Sequence, residues 1–195
     1  MFKQPDTIQF SLPDWVSTYV QDYPIIDTVE DRMRFVIEAA RKNVLEQTGG
    51  PFAAAIFELD SGKLISLGVN LVTTQGLSIL HAEMVAIAVA QKKLATYDLG
   101  GEDVAQHELV SSTEPCAMCF GAVPWSGVRR IVTGARDEDA RCIGFDEGPK
   151  LNDWSSALSD RQIEVIKDVK RHEAQQVLNE YLQAGGKIYN SRESS

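Results

Sequence analysis

The sequence predicts an α/β fold, a three-layer α/β/α sandwich in which helices cover both faces of a mixed central sheet. Three observations carry that expectation. Short β-patterned runs alternate along the chain with helical patterns, the arrangement that packs helices onto a sheet. Asp60-Ser61-Gly62 separates two of those runs and reads as a hairpin turn, so the sheet holds an antiparallel pair. The 195 residues, 44% hydrophobic, suffice for one core. Such a core buries roughly 70% of the surface that the unfolded chain exposes.

Each element follows in order. Residues 1–27 hold Pro5, Pro13 and Pro24 with scattered aromatics and no period. They are expected to form an extended arm draped over a domain of residues 28–195. Thr28, with Asp31 three residues on, opens a capped helix through Met33, Ile37, Ala40 and Val44 that stops before Gly49-Gly50-Pro51. Phe52 to Leu59 and Lys63 to Asn70 are the hairpin strands. After a polar loop from Leu71 to Ser78, the run His81 to Leu94 is rich in alanine and lacks glycine and proline, which predicts a buried helix. Glu108 to Ser112 is a short strand. Pro115 stands where a helix begins, with Cys116 to Val123 as its first turns, because the N–H that proline lacks has no partner there anyway. Arg130 to Thr133 is a strand, Gly144 to Leu151 a loop, Ile163 to Val169 a strand, and Arg171 to Gln183 a last amphipathic helix before Gly185-Gly186.

Charge and composition exclude several classes. A net charge of −9 repels polyphosphates on average, and basic residues gather only at Arg129-Arg130, Lys167 and Lys170-Arg171, so no nucleic-acid partner is expected. No apolar run approaches the roughly 20 residues that cross a bilayer, so no membrane partner is expected. The start MFKQPDTIQFSLPDW lacks the basic and then apolar pattern of a secretory signal, which points to the cytoplasm. Three cysteines cannot all pair, and Cys116 and Cys119 lie three apart. Metal or redox chemistry therefore outweighs a disulfide framework.

Cys116 and Cys119, at i and i+3 at a helix start, put two thiolates within reach of one ion. Alone, Cys-x-x-Cys serves equally as a redox pair or as half of a structural zinc site. His81-Ala82-Glu83, opening the preceding helix, supplies a third ligand in His81. A fourth is poorly provided: Cys142 is distant in sequence, and His107 and His172 stand in polar contexts. Three protein ligands leave one position open, the mark of a catalytic zinc whose bound water has a pKa of about 7. Glu83 reaches that water without coordinating the metal, takes its proton and returns it to the substrate. His-x-Glu with Pro-Cys-x-x-Cys is the signature of zinc nucleobase deaminases.

These residues belong to a longer set: Gly49-Gly-Pro-Phe52, Asn70, His81-Ala-Glu83, Ser112-Thr-Glu-Pro-Cys-Ala-Met-Cys-Phe-Gly-Ala-Val-Pro-Trp-Ser-Gly-Val-Arg129 and Gly144-Phe-Asp-Glu-Gly-Pro149. On that set the chain, from about Thr28 to Asn190, resembles the cytidine deaminase superfamily and within it the bacterial guanine deaminases. The resemblance implies one zinc ion per subunit on His81, Cys116 and Cys119, with Glu83 as acid and base. It implies a base pocket of Phe52 as an aromatic face, Asn70 as an amide for the purine edge, Ala82, and Trp125 as a bulky wall. Glu147 stands where guanine deaminases carry a second acidic residue. A carboxylate facing the substrate's N1–H and amino group accepts from both, and neighbouring Asp146 is the alternative. Ile188-Tyr189-Asn190 resembles a tail that crosses to a partner subunit and covers its active site, which implies a homodimer and brings Tyr189 to the substrate.

The implied activity is hydrolysis of free guanine to xanthine and ammonia in purine catabolism, with amino-triazines as related substrates. Two other readings stay open at this point. A tRNA adenosine deaminase shares His-Ala-Glu and Glu-Pro-Cys-x-Met-Cys but needs a basic surface that Arg171-His-Glu-Ala-Gln-Gln-Val-Leu-Asn-Glu180 lacks. A non-catalytic zinc-stabilised binding module is the other.

Overall fold

The computed structural model describes residues 3–23 and 28–191, and its sheet grows from the hairpin. β1 (Ala53–Glu58) and β2 (Leu64–Val69) pair antiparallel, Ala53 opposite Val69 and Ala55 opposite Leu67. Gly62 takes a φ of +68° in the turn, a left-handed conformation that glycine adopts without steric cost. β3 (His107–Thr113) adds antiparallel to β1. β4 (Arg130–Ala135) and β5 (Glu164–Ile166) continue the sheet in parallel, giving the order β2-β1-β3-β4-β5.

Alternation along the strands divides the core into two layers. Ala53, Ala55 and Phe57 face one side with Val110 and Val132, while Ala54 and Ile56 face the other with Leu109 and Ile131. The first side is covered by α1 (Asp14–Gln21), α2 (Val29–Leu45) and α8 (Arg171–Gln183), the second by α4 (Ala82–Leu94), α5 (Ala117–Ser126) and α7 (Trp154–Ser159). The expected sandwich with a mixed sheet is therefore the observed one. α2 starts as its capping pattern predicts, with the Thr28 hydroxyl accepting the Asp31 N–H at 3.2 Å. Gly68 lets α4 press onto β2, since a Cβ there would lie 2.3 Å from Ala82 O and 2.4 Å from Ala86 N. That close approach sets the start of α4 against the sheet.

Within the extended arm expected over residues 1–27, the stretch Asp14–Gln21 is corrected. Asp14–Gln21 is a helix introduced by Pro13, with Val16 in the core and Tyr19 stacked on Phe35 at 4.7 Å. A proline at a helix start is compatible with the helix, so spaced prolines do not by themselves make a segment extended. Residues 24–27 lie outside the described residues. Three further short helices, α3 (Val72–Gln75), α6 (Asp137–Cys142) and α7, occupy segments read as loop or left unassigned. None is long enough to show a helical period. No described helix is long and apolar enough to cross a membrane.

Candidate active site and metal centre

Two helix starts meet at the same end of the sheet. His81 caps α4, with Glu83 in its first turn, and Cys116 caps α5, with Cys119 in its first turn. The unpaired N–H groups of both helices therefore face one region. His81 Nδ1 lies 3.4 Å from Cys116 Sγ, and the ligand atoms of His81, Cys116 and Cys119 lie within 4.8 Å of one another. That spread fits one ion about 2.3 Å from each sulfur and about 2.0 Å from the nitrogen. Cys142 is exposed and stands outside the cluster.

The electrostatics of the cluster also fit a cation. Without one, a hydrogen bond from Cys119 pulls the Cys116 thiol down to about 4, with His81 assisting, while the same bond and burial push the Cys119 thiol up. One thiolate and one thiol thus share the proton, and a divalent ion is what lets both ionise. Glu83 is buried, its Oε2 is 3.3 Å from Cys119 Sγ, and its Oε1 accepts the Ser111 hydroxyl at 3.5 Å. Burial pushes its carboxyl above the usual range.

A cleft of about 480 Å³ opens over this cluster, lined by Phe52, Asn70, Glu83, Glu147 and Tyr189 among others. Asn70 turns Oδ1 to the Val72 N–H at 3.2 Å, and its NH₂ end makes no hydrogen bond to a described residue. Glu147 is buried, its main-chain carbonyl accepting the Ala117 N–H at 2.9 Å, and burial beside the Cys116 charge pushes its carboxyl up to about 8. Asp146 instead accepts the Gly148 N–H at 2.8 Å, and its side chain is 61% exposed. Of the two carboxylates left open by the sequence, Glu147 is the one buried in the cleft. Tyr189 lies over the cleft of its own chain. Asn190 holds it there, donating to Gly144 O and accepting the Asp146 N–H, both at 2.8 Å.

Two expected pocket residues are placed otherwise. Trp125 is 85% exposed and does not line the cleft. Helical phase explains this, because Cys119, Val123 and Ser126 face inward and so turn Trp125 outward with Met118. Ala82 packs its methyl into the core, leaving a ligand only its backbone N–H, one of the unpaired donors of the first turn. The sequence reading also missed two residues. Phe145 packs between Phe52 and Tyr189 at 4.9 and 5.0 Å, and its place in the Gly-Phe-Asp-Glu-Gly-Pro loop was the available signal. Lys150 is a nearly buried ammonium 2.9 Å from Asp137 and 3.1 Å from Pro115 O. It ties the loop of Glu147 to the segment before Cys116, and no local pattern announces it.

Residues 27–135 match the family described as the cytidine and deoxycytidylate deaminase zinc-binding region. A solved guanine deaminase from Nitrosomonas europaea is 42% identical and superposes with a TM-score of 0.88, covering 93% of this chain and 100% of that one. A guanine deaminase of Bacillus subtilis (strain 168) is 36% identical over 118 residues, 60% of this chain and 71% of the relative. A tRNA-specific adenosine deaminase of the same organism is 33% identical over 149 residues, 76% of this chain and 85% of the relative. Ligand cluster, buried glutamate and family match agree: the chain belongs to the cytidine and deoxycytidylate deaminase zinc-binding family.

Proposed function

We infer that this chain is a hydrolytic deaminase of free guanine, consuming water and releasing xanthine and ammonia. The observation that supports the substrate is the pairing of a buried carboxyl, Glu147, which would ionise as an acceptor once a zinc ion offsets the neighbouring Cys116 charge, with the Asn70 NH₂ group, which has no partner among the described residues, across a cleft floored by Glu83. Guanine offers N1–H and its 2-amino group to a carboxylate and ring or carbonyl acceptors to an amide, whereas adenine and cytosine present other patterns. One zinc ion on His81, Cys116 and Cys119 would supply a Lewis acid that lowers the pKa of water to about 7. Glu83 takes a proton from the attacking water and passes it to the ring nitrogen beside C2, then takes the second proton from the hydroxyl now on C2 and gives it to the departing amine, leaving C2=O and ammonia. Phe52, Phe145 and Tyr189 hold the base flat and keep bulk water out.

The kinship with tRNA deaminases supports the chemistry more than the substrate. The groove along α8 is lined by His172, Gln175, Gln176, Asn179, Glu180 and Gln183, with no lysine or arginine to meet a phosphate backbone. Ammonia release from guanine, adenine, cytosine, cytidine, an amino-triazine and tRNA tests the assignment. Guanine is expected to be the preferred substrate, and release from tRNA or cytosine alone overturns it.

We further place the protein in the cytoplasm as a homodimer, its reduced cysteines suiting a reducing compartment. The outward face of α5, with Met118 and Trp125, is the apolar surface that a second copy would cover. The Gly185-Gly186 turn, with Gly185 at φ +73°, is where an exchanged tail would depart. Sedimentation of wild type against Trp125→Glu checks this, with a dimer and a monomer expected respectively.

A further inference from the structure

We propose that Asn43 is a positioning residue for purine recognition, acting through Asn70; the proposal rests on the reading of the cleft as a guanine site. Asn43 is 0% exposed on the inner face of α2. Its Nδ2 donates to Gly50 O at 2.9 Å and to Asn70 O at 3.0 Å, while its Oδ1 accepts the Thr48 hydroxyl at 2.8 Å. Between those two carbonyls, the Asn70 N–H donates to Phe52 O at 3.0 Å and the Phe52 N–H to Gly50 O at 2.9 Å. One amide therefore stitches together the two chain ends that continue the hairpin past its Ala53–Val69 pair. Both ends carry a residue of the cleft.

The packing leaves no room for an alternative. A Cβ on Gly49 would lie 1.8 Å from Asn70 O and 2.7 Å from Asn43 Nδ2. Thr48 is itself anchored, its hydroxyl accepting the Trp15 indole N–H at 3.0 Å and its carbonyl accepting the Thr74 hydroxyl at 3.0 Å. A relay of hydrogen bonds thus runs from α1 through Thr48 and Asn43 to the backbone of Asn70. Neighbouring core positions of α2 are filled by Ala39 and Ala40, so packing alone asks only for an apolar side chain. The amide answers a different need. It gives buried carbonyls a partner and holds Asn70 so that its NH₂ end faces the substrate.

Asn43→Ala removes both donors, and Thr48→Val removes the hydroxyl that orients the amide while keeping its shape. With zinc-loaded protein, Thr48→Val is expected to raise the KM for guanine about 3–10-fold and Asn43→Ala about 10–100-fold, with kcat changed less than about 2-fold. Thr48→Ser keeps the hydroxyl and is expected to restore the wild-type KM. Guanine binding in a Glu83→Gln background, read as Kd without turnover, is expected to shift by the same factors. In an Asn70→Ala background the Thr48→Val shift is expected to vanish, because the two residues act in series. An unchanged KM in Thr48→Val, or the same shift with and without the Asn70 side chain, overturns the proposal even if Asn43→Ala fails to fold. Wild-type protein that releases no ammonia from guanine overturns the underlying reading, and this proposal with it.

Discussion

His81, Glu83, Cys116 and Cys119 stand on the first turns of two helices packed against the sheet, whereas Glu147 and Tyr189 stand on a loop and a tail. The first group is held by the core itself. Ala82, Val85, Ala86 and Val123 around it are fully buried, and Gly68 lets α4 sit directly on β2. The second group is held by polar ties such as Asn190 to Gly144, Arg141 to Gly148 O at 2.8 Å, and Lys150 to Pro115 O. The difference teaches where chemistry and selectivity reside. Proton transfer needs a rigid floor, and core packing provides it. On the proposed reading, selection of the base is shared between Asn70, held from within by the Asn43 amide, and a rim of Glu147 and Tyr189 held by polar ties near the surface.

The largest effect that would sharpen this contrast belongs to the floor. Glu83→Gln is expected to retain zinc by metal analysis while kcat falls by about 10²–10⁴-fold, the span of general acid–base catalysis. Loss of zinc together with activity would make Glu83 a structural part of the metal site. The rim should respond differently. Glu147→Ala is expected to keep zinc and lower kcat/KM for guanine by about 10²-fold, roughly 2.7 kcal/mol, while Asp146→Ala changes it less than about 2-fold. Equal responses would dissolve the distinction between the two carboxylates.

A smaller effect appears with pH. Burial, then the Cys116 and Glu83 charges, push the Glu147 carboxyl from 4.5 to about 8 in the metal-free chain. The folded chain thus keeps a proton that the unfolded chain releases. This contribution to stability is complete below the unfolded value and is lost as pH rises through about 8. Denaturation midpoints of the metal-free protein, measured at about pH 5 and about pH 8, should fall further for wild type than for Glu147→Gln. Parallel falls would place the titration elsewhere. The smallest effect belongs to Tyr189, whose hydroxyl is buried with no partner among the described residues. Tyr189→Phe is expected to leave the melting temperature unchanged or to raise it, since an unsatisfied hydroxyl costs about 1–3 kcal/mol. A marked drop would show that the hydroxyl is bonded in solution.

Much of the fold was legible because its signals are local. Thr28 with Asp31, the turn at Gly62 and the amphipathic run Arg171–Gln183 each write their conformation into a few neighbouring residues, and the structure places them as read. The helix Asp14–Gln21 was illegible because Pro13 resembles a breaker when only spacing is considered. Trp125 was misplaced because a motif fixes order along the chain but not the phase of the helix that carries it.

From the sequence alone, Cys116 and Cys119, at i and i+3 of one helix start, with His81 at another, already specify the donor set, because the i, i+3 spacing puts two sulfurs on one face. Only the tertiary structure decided that these two starts meet, that Glu147 is buried while Asp146 is not, and that Asn43 reaches Asn70. Those relations join residues far apart in the chain. They depend on how closely helices, hairpin and loops pack, which no local pattern encodes.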